Sequence, residues 1–245
     1  MDTESLQIHL NSKSATMSNG LSDCYFYINT IEVPSDYQIN ISVISSAIPY
    51  SFYCINSLNN TLIYKVGLIT SVVNFTQGNY NINQWLAYLQ SLNLPFTITL
   101  DKIVNKFTFS SSSSFTLLLS STCFELLGLL NQKLDYVADV SNKIVSNACI
   151  NLQSIQVLYI NSNFISKSVN VSNVNKATTI CSIPISVPPY SLITYSNSNN
   201  HKVNIFQNSF NLINIKICNQ DNNIIDLNNC HWSLTLQIDV IKFTE

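Results

Sequence analysis

The sequence predicts a mainly β protein, a jelly-roll β-sandwich that carries an inserted α+β domain. Three observations lead there. Apolar and polar residues alternate with period two at both ends of the chain, the pattern of strands with one buried face. Helical spacing of apolar residues occurs only in the middle. Neither end supplies enough strands alone: residues 1–57 offer about three and 146–245 about five or six, which together make the roughly eight of a jelly roll. The expected division is therefore a sandwich from 1–57 and 146–245, with 58–145 as the inserted α+β domain. The competing arrangement, an α+β domain followed by a separate C-terminal sandwich, leaves the first strands without a sheet.

In chain order, Leu6, Ile8 and Leu10 alternate with Gln7 and His9. Tyr25, Tyr27 and Asn29 alternate with Phe26 and Ile28, and Ile39, Ile41 and Val43 with Asn40 and Ser42. Each reads as a strand of a sheet with one face in the core. In the middle, Gly78-Asn79-Tyr80-Asn81 reads as a turn. Asn81 can cap a helix whose third residue is Gln84. Ile82, Trp85, Leu86, Leu89 and Leu92 then form one helical face, and Pro95 marks its limit. Phe96–Leu100 and Phe107–Phe109 read as strands of a hairpin across Asp101–Lys106, followed by a serine loop or edge, Ser110–Ser114. Thr122-x-x-Glu125 is a capping-box pattern and predicts a second short helix through Phe124–Leu130. The alternation then resumes at Ile213, Ile215 and Ile217. Asp221-Asn222-Asn223 reads as a tight hairpin turn, because Asn and Asp tolerate positive φ. The last strand is the clearest, with Trp232, Leu234, Leu236, Ile238 and Val240 against Ser233, Thr235, Gln237 and Asp239.

Composition narrows the function. Of 245 residues 10% are charged, the net charge is −2, and none of the 11 basic residues is arginine. A protein built to grip phosphates or nucleic acid uses the planar fork of arginine. Here aromatics interleave with Ser and Asn rather than Lys, so no specific nucleic-acid partner is expected. An A/T-rich genome accounts for much of the Asn and Ile. No apolar run reaches the ~18 residues of a membrane helix, and the acidic, polar Met1–Ser5 is unlike a signal peptide. The seven cysteines, at 24, 54, 123, 149, 181, 218 and 230, include no Cys-x-x-Cys pair and read as free thiols buried in apolar stretches.

No catalytic, cofactor-binding or metal-binding residue is assigned, and no enzyme activity is expected. His9 falls on the polar side of its strand, His201 in a loop after Asn197–Asn200, and His231 just before the last strand. Cys218, Cys230 and His231 are the nearest thing to a ligand set, but adjacent strand residues point to opposite faces. The glycines at 20, 67, 78 and 128 build neither a phosphate loop nor a Gly-x-Ser-x-Gly elbow. Asp221 and Asp226 flank a turn and shape it. Tyr25, Phe26, Tyr27, Phe52 and Tyr53 read as core and sheet-face residues, with a carbohydrate platform as the sharper alternative. Trp85 reads as core rather than as a ligand clamp.

Three stretches carry a resemblance. Ser45-Ser46-Ala47-Ile48-Pro49-Tyr50-Ser51-Phe52-Tyr53-Cys54-Ile55-Asn56 resembles a segment of the minor capsid proteins of polinton-like viruses, virophages and some large DNA viruses. The run from Gly78-Asn79-Tyr80-Asn81 through Phe107-Thr108-Phe109 is similar to the next segment of those proteins. Ile225–Gln237 resembles their terminal hairpin, with Asn228-Asn229 where a small residue, often glycine, usually sits. The resemblance implies a structural virion protein, the penton: a jelly-roll minor capsid protein forming homopentamers at five-fold vertices among double-jelly-roll major capsid subunits. It also implies assembly in the host cytoplasm and a place in the virion, with a host receptor or a spike as a further partner. The alternative function is a receptor- or glycan-binding attachment head whose inserted domain supplies a groove.

Overall fold

A computed structural model describes residues 3–130, 134–164 and 178–242. Four strands come first: β1 (Thr3–Asn11), β2 (Met17–Ser18), β3 (Asp23–Glu32) and β4 (Tyr37–Pro49). The middle holds β5 (Thr61–Val66), β6 (Ile69–Asn74), helix α1 (Ile82–Ser91), β7 (Thr97–Asp101), β8 (Lys106–Ser110), β9 (Phe115–Leu117), β10 (Tyr136–Val137) and β11 (Lys143–Val145). The last six are β12 (Val157–Ser162), β13 (Thr179–Pro184), β14 (Leu192–Ser196), β15 (Val203–Ile205), β16 (Ser209–Cys218) and β17 (Ser233–Lys242). No helix among the described residues is long and apolar enough to cross a membrane.

The chain forms two compact units, residues 1–52 with 155–245, and residues 53–154. The first contains two antiparallel sheets. One runs β1-β17-β4-β14, with β15 also paired to β4; the other runs β13-β12-β16-β3-β2. The last strand, β17, thus lies between β1 and β4, and β16 lies between β12 and β3. This interleaving of the two ends of the chain is the jelly-roll pattern. The period-two faces meet as the alternation requires. Ile39, Ile41, Val43, Leu234, Leu236 and Ile238 from one sheet share a core with Phe26, Leu158, Ile160, Ile213, Ile215 and Ile217 from the other. The other face of the strands is not uniformly wet. Ser42, Asn214 and Asp239 lie opposite the apolar rows, yet all three are buried.

The second unit has its own core. It contains the sheets β10-β9-β5-β6 and β11-β8-β7, with α1 against them. Asn81 and Gln84 form the full capping box at the start of α1. Trp85 and Leu89 are buried, and Ile82, Leu86 and Leu92 are half-buried around the same core. Trp85 donates its indole N–H to the Leu126 carbonyl at 3.1 Å, so the ring is held as well as packed.

Three local expectations need correction. The boundaries lie at 52/53 and 154/155 instead of 57/58 and 145/146, because Cys54, Ile55 and Ile150 belong to the second core. Gly78 is not a turn residue; it pairs with Ile55 through two backbone bonds of 3.0 and 3.1 Å. The second helix shrinks to a single 3₁₀ turn, Glu125–Leu127, with no side-chain cap. The Thr122 hydroxyl accepts the Thr61 N–H of β5 at 3.0 Å instead of capping. Gly128 then ends the turn at φ +67°, where a Cβ would sit 2.5 Å from the Ala148 carbonyl oxygen.

Candidate functional site

The titratable side chains are dispersed rather than gathered. His9 is exposed on β1, its Nδ1 3.0 Å from the Thr235 hydroxyl. His201 is exposed in the β14–β15 connection and its backbone N–H is bonded to Asn197. His231 Nδ1 lies 3.1 Å from the Ser12 hydroxyl. That Ser–His contact was not legible in a serine-rich sequence, because it joins residues 219 positions apart. Its geometry is structural. The same hydroxyl accepts the Trp232 N–H at 3.0 Å, and the Ser12 N–H donates to the Trp232 carbonyl at 3.0 Å, so Ser12 extends the β1–β17 pairing. No His ring nitrogen is bonded to a carboxylate, and no three His, Cys, Asp or Glu side chains gather where a metal could bind, among the described residues.

All seven thiols are free, five of them buried; Cys149 is exposed and Cys230 half-buried. Burial pushes the Cys24 thiol up to about 11, with the Asp23 charge adding to it. Burial likewise raises Cys123 well above the ordinary thiol range. Such thiols are poor nucleophiles and poor metal ligands at neutral pH.

The two strongest polar clusters tie strands together. Lys202 Nζ lies 2.7 Å from Asp239 Oδ2, and Asp239 Oδ1 also accepts from the Ser5 hydroxyl and the Gln237 amide. Burial pushes the Asp239 carboxyl up, but the bonds from Lys202, Ser5 and Gln237 and the Lys202 charge outweigh it and hold it below its ordinary value. Lys216 pairs with Asp23 at 3.6 Å, and Asn214 donates to the same carboxylate at 2.7 Å. Both clusters use lysine where arginine would be expected in a buried pair.

Asp221, Asp226 and their neighbours shape turns. Asn219 Oδ1 accepts from Asp221 and Asn223, with Asn222 at φ 63°. Asp226 Oδ1 accepts the Asn228 N–H, and Asn228 and Asn229 both take positive φ, closed by Cys230 N–H to the Leu227 carbonyl at 2.9 Å. Of the aromatics weighed for a carbohydrate platform, Phe26 and Phe52 are core residues, and Tyr27 stays exposed on β3. Trp85, which a groove in the inserted unit would have used, is fully buried.

The surface offers apolar side chains at turns and sheet edges. Leu68 and Ile69 project from the β5–β6 hairpin, Ile103 from the β7–β8 turn, Val140 before β11 and Tyr190 before β14. The edge strand β6 carries no charge and no proline, devices that normally keep an edge from pairing with another chain. Such a surface suits contacts with other subunits.

No family model matches the sequence, and no curated protein matches it in sequence. Among solved structures, a chain of the Sputnik virophage structure determined by cryo-EM covers 99% of this chain and 98% of its own, with TM-score 0.46 and 12% identity. The crystal structure of the mavirus penton protein covers 98% of this chain and 100% of its own, with TM-score 0.52 and 13% identity. At that identity the second likeness is one of fold, and it runs the length of both chains: this chain has the fold of the mavirus penton protein.

Proposed function

We propose that this chain is a penton protein, a structural minor capsid protein that forms homopentamers at the five-fold vertices of an icosahedral virion. Its neighbours there are double-jelly-roll major capsid subunits, and the shell is assembled in the host cytoplasm. The observation that carries the reading is the likeness to the mavirus penton protein over both units of the chain. The apolar turns and edges, the scarcity of charge and the absence of arginine support it, since such surfaces lose little side-chain entropy when packed against neighbours. A ring of five requires each subunit to use two different faces. Native mass spectrometry and negative-stain imaging of the purified chain test it: closed five-fold rings are expected, and a chain that stays monomeric and never enters particles refutes it.

A further inference from the structure

One flank of the sandwich is open. β1 ends its sheet, with β17 as its one partner among the described strands. β3 is flanked by β2 only at Cys24 and Tyr25, so from Ile28 to Glu32 no described strand lies beside its outer edge. Between these two edges lies a cleft of about 540 Å³, lined on its apolar side by Leu6, Ile31, Val33, Tyr37 and Ile238. The inward row of β1 records the opening: Leu10 is 4% exposed, Ile8 half-buried and Leu6 49% exposed. Leu6 has the position of a core residue, but about half of it stays exposed among the described residues.

The edge beside the cleft is chemically specific. The Ser12 N–H donates to the Trp232 carbonyl. The register runs unbroken from Asn11↔Ser233 to Thr3↔Ile241. Antiparallel pairs alternate, so Leu10, Ile8, Leu6 and Glu4 face β17 with their backbone groups. Ser5, Gln7 and His9 turn theirs outward. Their N–H and C=O groups recur about every 7 Å, a spacing that an extended backbone matches. The rim is acidic, with Glu4 on one strand and Glu32 on the other. Lys242, whose Nζ lies 5.8 Å from the centre of the Tyr37 ring, pairs with Asp36 at 3.8 Å, and Lys202 is held by Asp239.

We propose that this flank binds an extended segment of a different polypeptide, apolar at alternate residues and carrying a lysine or arginine that meets Glu4 and Glu32. The segment adds a strand to β1 and fills the cleft beneath Leu6 with its inward side chains. A second copy of β1 does not fit the rim, because Thr3–Asn11 has no lysine or arginine and brings another Glu4. The proposal goes beyond the penton reading and does not depend on it, since it is tested on the chain whatever its oligomeric state.

The test is a selection of random heptapeptides displayed on phage against the full-length chain, followed by binding of the selected synthetic peptides to Glu4→Lys and Leu6→Lys. Selected sequences are expected to alternate apolar residues and to contain Lys or Arg. Binding should weaken at least about tenfold in either variant, and hydrogen exchange at Ser5, Gln7 and His9 should slow in the bound parent. Both substituted side chains are exposed, so both variants should fold; if either does not, the protection of those three amides decides alone. No enrichment, acidic or non-alternating sequences, or protection elsewhere overturns the proposal. Protection in the free chain that fades on dilution would assign the edge to a second copy and also overturn it.

Discussion

Six of the seven non-glycine residues with positive φ, among the described residues, are asparagine, at 105, 142, 200, 222, 228 and 229. In a chain with four glycines, asparagine takes the left-handed turn positions, because its short polar side chain tolerates them. An asparagine-rich composition does not by itself dictate where these six stand. Asn229 is exposed, so Asn229→Gly should leave the melting temperature nearly unchanged, whereas Asn229→Val should cost about 1–2 kcal/mol; thermal melts of the two variants check this. Asp239 makes a second residue-scale prediction. Its carboxyl is held below the ordinary value, so its stabilisation is fully present above the unfolded pKa of about 4 and is lost as pH falls through the lower folded value. Lys202→Ala leaves a buried carboxylate without its cation and should cost about 3 kcal/mol at pH 7. The gap to the parent should narrow toward pH 3, as the variant's carboxyl protonates; urea melts at the two pH values measure it. The turns at Asp221–Asn223 and Asn228-Asn229 were legible in the sequence. The Lys202–Asp239 pair was not, since nothing local marks which lysine meets which carboxylate across 37 positions.

Elements were legible where a local pattern and the tertiary context agree. Asn81 and Gln84 satisfy each other at the start of α1, and the apolar residues after them face one core. The Thr122-x-x-Glu125 pattern is as good a cap on paper, but β5 needs a partner, and the Ser121 and Thr122 hydroxyls accept the Ile63 and Thr61 N–H groups. The stretch of β5 that β9 does not reach won the hydroxyls, and the helix stayed a single turn. The last strand was readable residue by residue, since Leu234, Leu236 and Ile238 all reach the core. Leu236→Asp should therefore abolish folding of its unit. It places an unpaired carboxylate at a position 0% exposed, at a cost of several kcal/mol, most of the ~5–15 kcal/mol that holds a domain together. Loss of cooperative thermal unfolding is the expected reading, and a variant that melts like the parent would remove β17 from the core.

At the scale of the whole molecule, the number of strands at each end fixes the topology. Too few strands at either end, and helical spacing only between them, require distant parts of the chain to share sheets. β17 between β1 and β4 is that sharing. The alternation could not reveal the open flank at Leu6, because an inward position reads the same whether or not anything covers it. The penton reading rests on the fold as a whole rather than on any cluster of reactive groups, so its decisive property is symmetry. The most direct measurement is the mass and rotational symmetry of the purified, assembled chain by native mass spectrometry with class-averaged electron microscopy. The account predicts a particle of five times the 27.5 kDa chain with five-fold symmetry; a stable monomer, or a closed ring of any other order, would contradict it.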